Sequence, residues 1–447
     1  VAIEWSQISG PGTASFETPA NAECPVSFDA PGTYVLQIQA TDGQFTVRDQ
    51  ISVAVGAALT PAPWISQDTL PISSRRGQGL IQDGIFTLTA TGSGLTNRTN
   101  DQLHLEARQV PGDSSLTVRL NSINGGSSPF AGILIRKTLD RREIRCALGY
   151  RNGNIEFRTR STRTTTDTAT TIGGLSLPLW LRLERDATAQ TIAASYATDD
   201  SGSPGTWTPV GSPANLPLNE LAIAALGAYA GNTSTTTTAE FDNVTLTPAP
   251  SGPALLTDHL GINSVEQGTY AENNGTYTIG GSGGLDGGGS FYGWQFTGDL
   301  VVTAKHVDAT SSAGSAKSGI MIRESMDSGG YVHIGRIQTG AFNGYIWRSV
   351  AGGSGGGLPT FNAKTRWIRL VRQGNSITAF HAPDTAGSPG TWVQVGQPQT
   401  IVMTPNVLVG LAVDNASGVG LNTVTFSDLT IEPLNRAPII ALAAPDP

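Results

Sequence analysis

Apolar and polar residues alternate along most of this chain. Leu116-Thr117-Val118-Arg119-Leu120, Ile51-Ser52-Val53-Ala54-Val55 and Tyr34-Val35-Leu36-Gln37-Ile38 each put their larger apolar side chains on one side of an extended backbone. The same alternation runs through residues 144–150, 180–185 and 191–196, and no ten-residue stretch carries an apolar stripe at helical spacing. Turn chemistry separates the alternating runs, as in Ala30-Pro31-Gly32-Thr33 and Thr41-Asp42-Gly43. The pattern predicts an all-β chain of many short strands.

Much of the pattern occurs twice. Gly132-Ile133-Leu134-Ile135-Arg136 returns as Gly319-Ile320-Met321-Ile322-Arg323, and Trp180-Leu181-Arg182-Leu183 as Trp367-Ile368-Arg369-Leu370. Residues 202–207 return letter for letter as 387–392, ending in Trp207 and Trp392. Phe241-Asp242-Asn243-Val244 returns as Phe426-Ser427-Asp428-Leu429. Four motifs in one order define a tandem duplication. The expected domains are 1–57, a first jelly-roll copy at 64–248, a second at 254–433, and the start of a further domain or a linker at 435–447. Roughly eleven strands per copy suit a two-sheet jelly roll, with Trp207 and Trp392 in equivalent packed positions. The Pro-rich connectors at 59–63 and 248–253 are expected to be stiff, spacing the domains rather than letting them pack.

Residues 1–55 resemble a known family. Trp5-Ser6-Gln7-Ile8-Ser9-Gly10-Pro11-Gly12, Ala30 to Tyr34, and Ala40-Thr41-Asp42-Gly43 are similar to the polycystic-kidney-disease (PKD) type of immunoglobulin-like domain, without that family's first strand. The segment Ala437-Pro438-Ile439-Ile440-Ala441-Leu442 looks like such a strand. It is expected to open a following domain or, by strand addition, to complete a neighbouring chain. The two copies resemble concanavalin-A/laminin-G-like sandwich modules of large bacterial secreted proteins, on Thr297 to Ala304, Gly319 to Ser325 and Trp367 to Gly374. The resemblance implies a partial Ig-like sandwich followed by two jelly rolls, and sometimes sugar binding.

Composition narrows the function classes. The chain has 447 residues, 55 of them Gly and 26 Pro, and a net charge of −8 that gives no basic face for nucleic acid or anionic lipid. No apolar run reaches the length of a membrane helix, so membrane insertion is not expected. Cys24 and Cys146 fall in different domains and read as buried thiols rather than a disulfide. The Gly-x-Ser-x-Gly, His-Glu-x-x-His, phosphate-loop and Cys-x-x-Cys motifs are missing. A sandwich glycosidase needs paired carboxylates on one face, and here a pair would have to be assembled from distant residues such as Asp299 and Glu324. The expectation is therefore that the chain is not an enzyme.

The repeated arginines and tryptophans are the leading binding candidates. Trp180 and Arg182 share one strand face, as do Trp367 and Arg369. Together with Arg136, Arg160, Arg323 and Arg348 they would form a cationic, aromatic surface suited to acidic glycans. The competing reading is a structural ladder of arginine stems packed on tryptophan. Trp294 and Trp347, unique to the second copy, are further glycan-contact candidates. Asp199 and Asp384 sit in the same repeated loop, where oxygen ligands are dense enough to consider calcium; otherwise no cofactor is expected. An Asx-type turn is the simpler account of both aspartates.

These features suggest an extracellular or bacterial cell-surface protein, a structural or adhesive segment of a long modular fibre. Its partners would be neighbouring domains or subunits of the same protein, with glycans as a further class. The alternative is a carbohydrate-binding accessory region of a secreted polysaccharide-degrading enzyme.

Overall fold

The computed structural model describes residues 1–22, 24–28, 32–55, 64–69, 75–96, 100–163, 165–218, 221–249, 255–259, 268–285, 289–309, 315–326, 331–337, 342–348, 355–361, 365–434 and 439–440. Residues 59–63 and 250–253 of the two connectors, and Ala437, Pro438, Ala441 and Leu442, lie outside the described residues. Among those described, every regular element is a strand. The chain divides into two compact units, residues 1–60 with 432–447, and residues 61–431.

The first unit is a small sandwich of two three-stranded sheets. One orders Ala2–Ser9, Gly32–Thr41 and Thr46–Val55; the other orders Ala14–Phe16, Cys24–Phe28 and Ile439–Ile440. Alternation puts Tyr34, Leu36 and Ile38 on the inner face, where they bury against Trp5, Ala14, Cys24 and Val26. The Thr41-Asp42-Gly43 turn closes because the Asp42 carboxylate accepts the amides of Gln44 and Phe45, at 2.9 and 2.7 Å. The returning terminal strand pairs Ile440 with Cys24 and Ile439 with Pro25. Here it therefore pairs with a strand of its own chain. It also joins the sheet opposite Trp5 rather than the edge beside it.

The second unit holds both copies, each a two-sheet jelly-roll sandwich. In copy one the inner sheet orders Thr168–Gly173, Asn154–Arg160, Arg145–Arg151, Phe130–Arg136, Leu221–Tyr229, His104–Pro111 and Ile65–Asp68. Its outer sheet is built on Leu179–Asp186, Ser114–Gly125 and Asn232–Thr247. Leu116, Val118, Leu120, Leu181, Leu183 and Phe241 point from the outer sheet into a core shared with Ile133, Ile135, Leu148 and Phe157. Cys146 belongs to this core, and burial pushes its thiol up to about 12. It is a small apolar filler and not a nucleophile. Copy two repeats the arrangement, with Lys317–Arg323 and Asn406–Val413 at the centre of its inner sheet.

The central strands of the inner sheets are buried on both faces. Phe130–Arg136 is buried at all positions, and Leu221–Tyr229 at all but its first. Side chains facing away from each sandwich core meet those of the other copy: Ile65, Leu105, Leu134, Leu139 and Ile223 cluster with Leu256, Phe291, Met321, Met326 and Leu408. The expectation of spaced domains is corrected here. An apolar outer face on a seven-stranded sheet needs a cover, and the other copy supplies it.

The contact has the logic of a two-fold dimer. Gln109 and Gln295 are the sixth residues of the equivalent strands His104–Pro111 and Ser290–Thr297. Gln109 exchanges hydrogen bonds with the backbone of Thr257 in copy two, at 2.7 and 3.0 Å. Gln295 reciprocally accepts the amide of Ser66 in copy one, at 2.7 Å. Ser66 and Thr257 each pair with the third residue of their neighbouring strand. The same patch meets itself, as in an isologous interface, but within one polypeptide.

Replacing Met321 by Asp would bury a carboxylate between the sheets, at an expected cost of more than about 3 kcal/mol. Calorimetry of residues 61–431 should then show the single wild-type transition split in two. One unshifted transition would mean that the sandwiches do not depend on this contact.

Candidate functional site

Three of the repeated arginines do not line a surface. Arg136, Arg160 and Arg323 are at most 1% exposed. Arg136 ends a central strand and turns back on the loop after it, donating through Nε to the carbonyl of Thr138 at 2.9 Å and through Nη2 to that of Asp140 at 2.5 Å. Arg323 does the same with the carbonyls of Ser325 and Met326, at 2.5 and 3.4 Å. The recurrence of arginine here is a recurrence of loop fastening.

In copy one this fastening joins a buried charge network. Arg145 grips Asp101 with two bonds, at 2.7 and 2.9 Å, and reaches Asp167 at 2.7 Å. Arg160 adds bonds to Asp101 at 2.7 Å and to Asp167 at 3.3 Å. Burial would raise the Asp101 carboxyl, but Arg145 and its neighbouring guanidinium groups hold it below the usual range. The network is sealed, so it organises the sheet end rather than receiving a ligand.

Trp180 and Trp367 are also mostly covered, each 6% exposed on an outer sheet. Each donates its ring N–H to the loop aspartate, Trp180 to Asp199 and Trp367 to Asp384, both at 2.8 Å. A cation completes each set: Arg119 Nη2 reaches Asp199 at 3.2 Å, and Lys305 Nζ reaches Asp384 at 2.8 Å. Asp199 also caps the amide of Gly202 at 3.1 Å. Both calcium candidates are therefore occupied as turn and ion-pair acceptors, and Lys305 leads the effects that lower the Asp384 carboxyl. No cluster of three or more His, Cys, Asp or Glu among the described residues is placed to hold a metal.

What remains open on the outer sheets is one step further along. Arg182 lies over the ring of Trp207 at 4.3 Å, and Arg369 over that of Trp392 at 3.9 Å. Both rings are half-buried, equivalent in the two copies, and carried by the repeated hairpin. Arg182 also meets Ser195 and Glu184, at 3.2 Å each, and Arg369 meets Thr303 at 3.0 Å. Of the second-copy candidates, Trp294 is half-buried edge-on to Tyr292, with ring centres 5.6 Å apart. Trp347 and Arg348 are half-buried near the far end of the inner sheet, and Trp347 lies against Tyr345 at 5.3 Å.

Sequence reasoning passed over a third location. A small cleft of about 40 Å³ at the rim between the two sandwiches is lined by Gln67, Asp68, Arg76 and His104 of copy one and by Glu324 and Asn406 of copy two, among others. His104 is 1% exposed and bonds Asp68 through Nδ1 at 2.9 Å. Its Nε2 is 3.1 Å from Ser66 Oγ and 3.4 Å from Glu106. Gly77 and Gly79 cover this group closely: a Cβ at Gly79 would stand 1.7 Å from a Glu106 oxygen. Across the cleft Arg76 pairs with Glu324 at 2.7 Å, and Glu324 accepts the amide of Thr404 at 3.0 Å. His104-Leu105-Glu106 carried the available signal, since positions two apart share a strand face.

No family model matches this chain, and no curated protein does. Among solved structures, a xylan β-1,4-xylosidase from Bacillus halodurans is similar at 13% identity and a TM-score of 0.32, over 95% of this chain and all of that one. Domains LG4-5 of the mouse laminin α1 chain match at 9% identity and TM-score 0.20, over 84% of this chain and 97% of theirs. A functionally unknown protein from Saccharomyces cerevisiae matches at 15% identity and TM-score 0.34, over 42% of this chain and 98% of its own. The expectation that the chain is not an enzyme is corrected to an open one, since the solved structures it is similar to include one named as a xylosidase. Likeness at this level concerns the fold and places no catalytic residue on this chain.

The cleft histidine has a measurable consequence. Burial opposes its charged form most strongly, but Asp68 and Glu106 outweigh that and push it up to about 9 from 6.5. A raised value means stabilisation fully present below the unfolded value near 6.5 and lost as pH rises through about 9. Urea unfolding should show a loss on the order of 3 kcal/mol between those limits. His104→Gln should flatten the curve in that window; an unchanged slope would contradict the assignment.

Proposed function

We propose that the chain is a carbohydrate-binding segment whose two jelly rolls contact an acidic glycan through the Arg182–Trp207 and Arg369–Trp392 stacks. One observation carries the reading. The same half-exposed stack is built twice on the outer sheets, whereas the other repeated Arg and Trp candidates, Arg348 apart, are buried in fastening roles. An indole ring packs on the apolar face of a sugar, and a guanidinium fork beside it suits a uronate carboxylate. Jelly-roll sandwiches host such sites among other functions, so the claim rests on the stacks and not on the fold. In the same proposal, the Ig-like unit resembling the PKD type serves as a neighbouring spacer.

Electrophoresis through gels containing polygalacturonate or a neutral β-glucan tests this. The wild-type chain should be retarded by the acidic polymer, less so as salt rises. Trp207→Ala or Trp392→Ala alone should weaken retention about tenfold through lost bivalency, and the double variant should abolish it. Equal mobility of wild type with and without polymer, or full retention by a folded double variant, would overturn the reading.

A further inference from the structure

The rim cleft between the sandwiches has the properties of a built site. Gln67 lines it, is 4% exposed, and neither its amide oxygen nor its amide nitrogen has a hydrogen-bond partner among the described residues. Ser325 lines it from the other copy, is 2% exposed, and its hydroxyl is likewise unpartnered. Buried polar atoms are almost always satisfied, and two such side chains from different sandwiches lining one cleft mark a place where a polar partner is missing.

The neighbouring charges cannot fill that role. Asp68 is committed to His104 and to the amide of Gly77, at 2.9 and 3.0 Å, and Glu324 to Arg76 and the amide of Thr404. These pairings hold the walls in place and leave the Gln67 amide and the Ser325 hydroxyl as the free valences. The cleft also breaks the internal two-fold. Glu324 stands where copy one has Lys137, one residue past the matched arginines, so the two rims carry opposite charge at this position.

We propose that this cleft binds the hydroxylated edge of a single sugar residue, with the Gln67 amide and the Ser325 hydroxyl meeting adjacent hydroxyl groups. A carboxamide offers one donor and one acceptor in a plane, which matches a vicinal diol, and the serine hydroxyl can take either role. A volume near 40 Å³ admits an edge bearing hydroxyls and not a whole ring, so the rest of the sugar would stay at the mouth. This site is separate from the outer stacks and does not depend on them.

Saturation-transfer NMR with D-glucose, D-galactose and D-xylose, each titrated against the intact chain, provides the test. At least one should receive saturation, and Gln67→Met and Ser325→Ala should each weaken its binding tenfold or more. The Trp207→Ala/Trp392→Ala double variant should bind it normally, which separates this site from the outer surface. Gln67→Met should also melt no lower than wild type, since it removes unsatisfied polar atoms at nearly constant volume. If no sugar receives saturation, or if Gln67→Met lowers the melting temperature and leaves binding intact, the cleft holds water only and the proposal fails.

Discussion

The structure depends on an apolar sheet having two faces. Each jelly roll has a core of its own, and that core uses one face of its inner sheet. The other face, carrying Leu105, Leu134 and Ile223 in one copy and Phe291, Met321 and Leu408 in the second, is just as apolar. A lone copy would leave it in water, where a patch of that kind drives association. Duplication within one chain answers this by making the association intramolecular, so that its strength does not vary with concentration. The reciprocal Gln109 and Gln295 bonds set the register of the two sheets.

That constraint decides where function can sit. The central strands of the inner sheets are closed to ligands because they close each other. Among the described residues, the outer sheets, the far ends of the inner sheets and the rim of the contact remain open, with the half-exposed Arg–Trp stacks on the first and the cleft on the last. Along the equivalent strands His104–Pro111 and Ser290–Thr297, each one in from the sheet edge, copy one carries His104, Glu106 and Arg108 where copy two carries Ser290, Tyr292 and Trp294. The fold tolerates a charged stripe in one and an aromatic stripe in the other because these positions lie on the strand face opposite Leu105 and Phe291, which make the inter-copy contact. Charge in copy one is kept only with partners: His104 between two carboxylates, and Arg145 on Asp101 and Asp167.

Strand alternation and the repeated motifs made the fold class legible, since period-two burial leaves its mark on each outer-sheet strand such as Leu116 to Leu120. The packing of the two copies was also written in the sequence, although in a different signal. Leu221 to Tyr229 is nearly all small and apolar with no alternation, the mark of a strand buried on both faces. Reading the Pro-rich connectors as spacers hid it. The site was less legible because a repeated arginine reads the same whether it faces water or folds back on a carbonyl; only the loop carbonyls after Arg136 and Arg323 distinguish the cases, and those are set by tertiary closure. The cleft was out of reach, because Gln67 and Ser325 lie 258 positions apart and nothing local marks either one.

Recurrence within a chain therefore has to be weighed against what duplication preserves. Two copies that cover each other must keep the residues that shape the shared face and the loops framing it, and Gly132 to Arg136 and Gly319 to Arg323 are such a repeat, with Leu134 and Met321 at the contact itself. A residue freed from that duty can change in one copy alone. The exchange of Lys137 for Glu324 is such a change: it creates the Arg76 ion pair across the rim and helps wall the cleft. In a chain of this design, the repeated inner-sheet motifs report how the copies hold together. Ligand chemistry has room where that duty ends, on the outer sheets with their Arg–Trp stacks and at departures from the repeat along the rim.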